Sequence, residues 1–114
     1  MPSKELMAAS SRPMVLSILS EKESYGYDII RRVKELSGGE IAWTEGMLYP
    51  VLHRLEREGL IKGRWVVAEE TGRKRKYYRV VAAGKKQLQA ERQQWEAVNS
   101  MLNGLWGGLT PCSI

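Results

Sequence analysis

His53 is the only histidine and Cys112 the only cysteine in the 114 residues, and neither lies in a motif that supplies a partner to activate it. A nucleophile needs a base within hydrogen-bond reach, and a zinc site needs several His or Cys ligands. No G-x-S-x-G, P-loop or dinucleotide fingerprint occurs, and no carboxylate pair has the setting of a catalytic cleft. The sequence therefore predicts no enzyme, no metal and no cofactor. A single thiol allows no internal disulfide, which fits a reducing, cytoplasmic setting. Positive charge is what the chain holds in quantity. Arg73-Lys74-Arg75-Lys76 is four cations in succession, and 18 Lys and Arg against 13 Asp and Glu give a formal net charge of +5. The chemistry on offer is recognition of an anion, with phosphate the simplest case, although a surplus of this size does not by itself identify nucleic acid.

A second set of polar groups lies in residues 44 to 65. Leu48, Val51, Leu52 and Leu55 fall at i, i+3, i+4 and i+7, one apolar stripe of a helix. The other side carries Gly46, Tyr49, Pro50, His53, Arg54 and Arg57, a basic and aromatic face with little side chain at its start. Thr44 suits the N-cap, Trp43 can fold back onto Leu48 as a staple, and Gly59 closes the helix. Pro50 removes one donor and should bend or tighten the first turns.

The remaining elements must position these two groups. Residues 4 to 20 read as a first helix with Leu6, Met14, Val15, Ile18 and Leu19 buried; Pro13 either kinks it or starts its second half. The small residues Ala8 to Ser11 would let another helix approach. Ser24 can cap a second helix from Tyr25 to Ser37, with Ile29, Val33 and Leu36 inward and Gly38-Gly39 as its stop. Gly26 costs helix stability and implies that another helix backbone passes close by. Ile61 to Ala68 and Arg75 to Val81 read as strands around a turn-rich loop, with Tyr78 and Val80 on the core side and Tyr77 and Arg79 on the other. Helix, turn, helix and basic hairpin make a winged helix-turn-helix.

Residues 82 to 103 read as a long last helix. Gly84, Leu88, Glu91, Trp95, Val98, Leu102 and Leu105 alternate spacings of four and three, a heptad seam broken only by Glu91. A domain this small has little of its own to bury that seam, so the expected cover is a second copy, with Leu88, Trp95, Val98, Leu102 and Leu105 at the dimer interface. The expected division is a winged helix-turn-helix over 1–81, a dimerisation helix over 82–105 and a tail over 106–114, in which Cys112 reads as an inert thiol. No run is long and apolar enough for a membrane span, and there is no signal peptide. The expected fold class is α+β, mostly α.

Three motifs carry a resemblance. Leu48-Tyr49-Pro50 with Leu52, Arg54-Leu55-Glu56 and Gly59-Leu60-Ile61, preceded by Tyr25-Gly26-Tyr27-Asp28-Ile29 and followed by Gly72-Arg73-x-Arg75-Lys76-Tyr77-Tyr78, resemble the signature of the PadR-like transcriptional regulators. The resemblance runs over roughly residues 4 to 103. It departs at Met47, where the family commonly has Thr, and at Val81-Ala82-Ala83-Gly84, where it commonly has a Thr-containing T-x-A-G. It implies a dimeric repressor that binds double-stranded DNA at an inverted-repeat operator. Gly46, Tyr49, His53, Arg54 and Arg57 would then contact DNA from the helix, and Arg73, Lys74, Arg75, Lys76 and Tyr77 from the wing. It also implies a small hydrophobic or phenolic effector, for which Trp95 is the expected site. The alternative is a winged-helix protein-interaction module without specific DNA binding.

Overall fold

The computed structural model describes residues 1–107. Cys112 and Leu109 lie outside the described residues. Helix α1, Lys4–Glu21, starts at Ser3, whose hydroxyl accepts the N–H of Leu6 at 3.2 Å. It continues through Pro13, so of the two expectations the second start at Pro13 does not occur. Its core face is Met7, Val15, Leu16, Ile18 and Leu19. Leu6, expected inside, is 49% exposed, because Met7 and not Leu6 faces the indole of Trp43.

A two-residue strand β1, Ser24–Tyr25, follows and leads directly into α2, Gly26–Leu36. Ser24 is therefore not the expected cap. It pairs with Tyr78 in the sheet, and its hydroxyl donates to the carbonyl of Lys22 at 3.1 Å. Ile29 and Val33 are buried, whereas Leu36, in the last turn of α2, is exposed. Gly38 and Gly39 end the turn with φ of 63° and 88°, values that suit glycine. Helix α3, Glu45–Arg57, is capped by Thr44, which accepts the N–H of Met47 at 3.3 Å. Leu48, Leu52 and Leu55 are fully buried. Trp43 is buried too, but its indole N–H points to Met7 Sδ at 3.4 Å, so it fastens α1 to the entry of α3.

Strands β2, Ile61–Val67, and β3, Lys74–Val80, form the wing, antiparallel with Ile61 opposite Val80 and Val67 opposite Lys74. The sheet order is β1-β3-β2, which leaves one side of β2 open. Helix α4, Ala82–Trp106, then crosses the domain and projects from it, drawing the molecule out to 53 × 30 × 25 Å. Its start is held tightly: a Cβ on Gly84 would collide with the Leu60 carbonyl oxygen. Four helices and a small three-stranded antiparallel sheet, mostly helical, make a winged helix-turn-helix with a long C-terminal helix.

Candidate nucleic-acid interface

With Leu48, Leu52 and Leu55 fixed in the core, the period of 3.6 residues decides where every other side chain of α3 goes. Gly46, Pro50, His53 and Arg57 lie opposite the core stripe, and Arg54 lies beside them; all five are exposed. Arg54 and Arg57 make no ion pair among the described residues, so their charge is available to an external anion. Gly46 and Pro50 leave the backbone of the first turns accessible at that surface.

Tyr49 is placed differently from the expected outward position. It sits at the side of α3, and its hydroxyl lies 3.1 Å from where a Cβ of Gly26 would be. Gly26 is thus explained by a side chain packing on it rather than by a helix backbone. Tyr49 remains 37% exposed, with its ring 6.1 Å from that of His53, so it supports His53 from the α2 side.

Strand alternation divides the cation run that the sequence shows as one block. Arg73 is in the loop, and only Lys74 to Lys76 belong to β3. Lys74 and Lys76 share the sheet face of Tyr78; Arg75 shares the face of Tyr77. Lys76 is not a free tip cation. Its Nζ lies 3.0 Å from Glu56 Oε1 and 5.2 Å from the Tyr78 ring centre. The second oxygen of Glu56 accepts the N–H of Gly63 at 3.1 Å. The hydrogen bond from Lys76, helped by that from Gly63, holds the Glu56 carboxyl below its usual range, and the Lys76–Glu56 bond in turn raises Lys76. Burial pushes the Tyr78 phenol up. One carboxylate of α3 therefore fastens both strands of the wing, and Gly63 is the residue over which Lys76 can cross.

Arg75 and Tyr77 belong to a different cluster on the far face. Arg75 lies 4.7 Å over the Tyr25 ring, Tyr25 meets Tyr77 edge-on at 5.2 Å, and Arg64 holds Glu23 with two hydrogen bonds of 2.6 and 2.8 Å. This cluster ties β1 to the wing. Arg73, Lys74 and Arg75 make no ion pair among the described residues, but Arg75 lies over the Tyr25 ring, which leaves Arg73 and Lys74 as the tip cations with neither a carboxylate nor a ring partner. Sequence reasoning missed Trp65, which is 65% exposed on the Lys74 side of the wing; its place in a strand that outruns the core was the available signal.

The seam of α4 divides at Glu91. Leu88, expected between subunits, packs against the chain's own core, because the first turns of α4 lie on α1 and β3. Glu91 is the polar stop. Arg12 of α1 donates to it at 3.5 Å and to Glu58, just past α3, at 2.8 Å, and Gln87 adds a bond of 2.9 Å. Beyond that node Trp95, Val98, Met101, Leu105 and Trp106 are exposed. No described helix is long and apolar enough to cross a membrane.

Comparison with known proteins accords with this geometry. Residues 15–90 match the model of the transcriptional regulator PadR-like family. The chain is 33% identical over 93 residues to the transcriptional regulator Rv3488 of Mycobacterium tuberculosis, covering 82% of each. It is 31% identical over 91 residues to the transcriptional regulator YqjI of Escherichia coli, covering 80% of this chain but 42% of that one. The crystal structure of the PadR-like regulator BC4206 from Bacillus cereus is similar at a TM-score of 0.78 and 30% identity, over 92% of this chain and 99% of that one. The family accounts for the charged helix, the wing and the lack of any catalytic constellation alike: the chain belongs to the PadR-like transcriptional regulators, which bind DNA and are not enzymes.

Proposed function

We propose that the chain acts in the cytoplasm as a homodimeric repressor that reads an inverted-repeat operator. The observation that carries this reading is the outward side of α3, where His53, Arg54 and Arg57 are exposed beside the short Gly46 and Pro50. Such a face fits a major groove, with His53 nearest the base edges and Arg57, in the last turn, on phosphate. Arg73 and Lys74 flank it from the wing and add backbone contacts. Exposed Trp95, Val98 and Leu105 and the partly exposed Leu102 give α4 an apolar side that a second copy would cover, and two-fold pairing of α4 matches a two-fold operator. Trp95 would then stand between subunits, where an aromatic effector could stack on it.

Selection of sites from random DNA, followed by footprinting and sedimentation, tests the reading. The expected result is an inverted repeat protected by two copies of the chain. Recovered DNA without any shared sequence, or protection by one copy, would refute it.

A further inference from the structure

The outer half of the wing carries two large apolar side chains that its own chain leaves uncovered. Trp65 and Val67 alternate along β2, and each is more than half exposed. They share the sheet face of Gly63, where the Glu56 carboxylate of α3 docks, so they lie on the side of the wing that α3 occupies. The core ends short of them: Ile61 and Tyr78 are buried, and Gly63 is already partly exposed. Trp65 stands opposite Lys76, and Val67 opposite Lys74. Lys76 leans away from Trp65, over Gly63 to Glu56. None of the cation–ring or ring–ring contacts among the described residues involves the Trp65 indole.

Position and charge decide what covers this strip. Neighbours on one face of a strand are about 7 Å apart. Trp65 thus lies one such step, and Val67 with Lys74 two steps, past the point where Glu56 meets Gly63. Arg57 follows Glu56 in the last turn of α3, where the phosphates bordering a major groove would sit. A strip that starts one step beyond that anchor spans one sugar-phosphate strand and reaches the adjoining minor groove, which is about 6 Å wide. Lys74, beside Val67, has no carboxylate partner among the described residues. A second copy is a poor cover, because a two-fold contact sets a patch against itself and brings Lys74 towards Lys74. Two side chains also fall well short of the roughly 800 Å² per partner of a stable protein interface. The turn beyond the strip carries Glu69 and Glu70, which phosphates repel, so the contact belongs to the flank of the hairpin and not to its turn.

We infer that Trp65 reads the minor groove beside each half-site and selects A·T pairs there. The indole N–H is a donor only. A·T pairs offer it acceptors on the groove floor, whereas guanine places its 2-amino group, a second donor, in the way. The bodies of Trp65 and Val67 lie on the sugars, with Lys74 on phosphate. This inference rests on the DNA-binding reading of α3 and adds a contact outside the bases that α3 would reach.

The test uses full chains of the wild type, Trp65→Ala and Trp65→Phe, with folding checked by circular dichroism. Selection from random DNA should give the wild type a shared half-site flanked by A·T pairs, and Trp65→Ala the same half-site with flanks of any composition. In the selected operator, 2,6-diaminopurine then replaces the flanking adenines. It adds the minor-groove amino group and keeps the major-groove edge of adenine. The exchange should weaken wild-type binding about tenfold and Trp65→Ala binding less than about twofold. Trp65→Phe, which keeps a ring but no donor, should also lose most of the penalty, and it carries the test if Trp65→Ala misfolds. An equal penalty in wild type and variants, or wild-type flanks without A·T preference, overturns the inference and leaves the reading of α3 standing. So does a fall from dimer to monomer in Trp65→Ala with its flank preference intact, since a second copy would then cover the strip. Random DNA that yields no shared half-site refutes the DNA reading itself, and the Trp65 contact with it.

Discussion

Glu56 should set the stability of the wing, and its replacement gives a change that can be worked out beforehand. Glu56→Ala removes two interactions: the 3.0 Å pair with Lys76 and the 3.1 Å acceptor of the Gly63 N–H. The pair is partly exposed, with side-chain exposures of 32% for Glu56 and 26% for Lys76, so it contributes within the range of about 0.2–1 kcal/mol for solvated pairs. The Gly63 N–H points to the open side of β2, because Leu60 and Ala68 fix which residues of β2 bond to β3. Without Glu56 that donor returns to water, and the loss is about 1 kcal/mol rather than the larger penalty of a buried orphan. Glu56→Ala should thus lower stability by about 1–2 kcal/mol, or roughly 4–8 °C in Tm per kcal/mol for a domain near this size. Glu56→Gln keeps an oxygen for Gly63 and should lose about half as much. The Glu56 carboxyl is depressed in the folded chain, so its stabilisation is present above the unfolded value of about 4.3 and is lost as pH falls through the lower folded value. Lys76 is raised, so its share is present below about 10.4 and lost only as pH rises through its folded value. Thermal unfolding at pH 7 and at progressively lower pH reads the Glu56 claim. Equal Tm for wild type and both variants at pH 7, or a gap between wild type and Glu56→Ala that does not narrow as pH falls through the folded value of Glu56, would refute the reasoning.

Three further outcomes are expected. Replacing Arg73 and Lys74 by Ala should reduce the log–log salt slope of DNA binding by about 0.9 per contact, with Lys76→Ala leaving it unchanged because that cation is held by Glu56; a gel-shift series in salt measures this. Val98→Asp with Leu105→Asp should give folded monomers by sedimentation and circular dichroism, whereas Leu88→Asp should reduce stability, since Leu88 packs on the core of its own chain. Gly84→Val should destabilise by more than about 2 kcal/mol in urea unfolding, because its side chain would meet the Leu60 carbonyl, a backbone atom that cannot turn aside.

The parts of the fold readable beforehand are those fixed by local spacing. The Leu48, Leu52 and Leu55 stripe, bounded by Thr44 and Gly59, defines α3 without any tertiary information. The hairpin follows from its loop and from the alternation of Tyr78 and Val80 with Tyr77 and Arg79. Strand β1 was not readable, because two residues show no period and Ser24 is as good a helix cap as a strand residue. The cation run misled for a related reason. Sequence shows Lys74 and Lys76 as equivalent, and only the approach of α3 gives Lys76 a carboxylate. The polar side of a helix is wide, so spacing alone puts Tyr49 outward; Gly26, for which the sequence predicts a passing helix backbone, instead takes the Tyr49 side chain. Leu88 fitted the heptad seam as well as Val98 does, and spacing cannot say where along the seam a helix leaves its own domain. Glu91 carried that information as the residue that breaks the pattern.

The bond from Arg12 to both Glu58 and Glu91 gives the molecule a pivot. One guanidinium joins α1, the end of α3 and α4 at the place where α4 departs from the domain. From Glu91 to Trp106 the helix extends about 22 Å at its usual rise, with Trp95, Val98, Met101, Leu105 and Trp106 exposed along it. It is a lever arm, short at the recognition end and long at the free end. A tilt of about 10° at the pivot carries Trp106 through about 4 Å while Arg57, next to Glu58, hardly moves. Run in reverse, the same gearing means that a displacement imposed at the far end of α4 reaches α3 much reduced, by way of Arg12 together with the packing of Leu88 and Gly84.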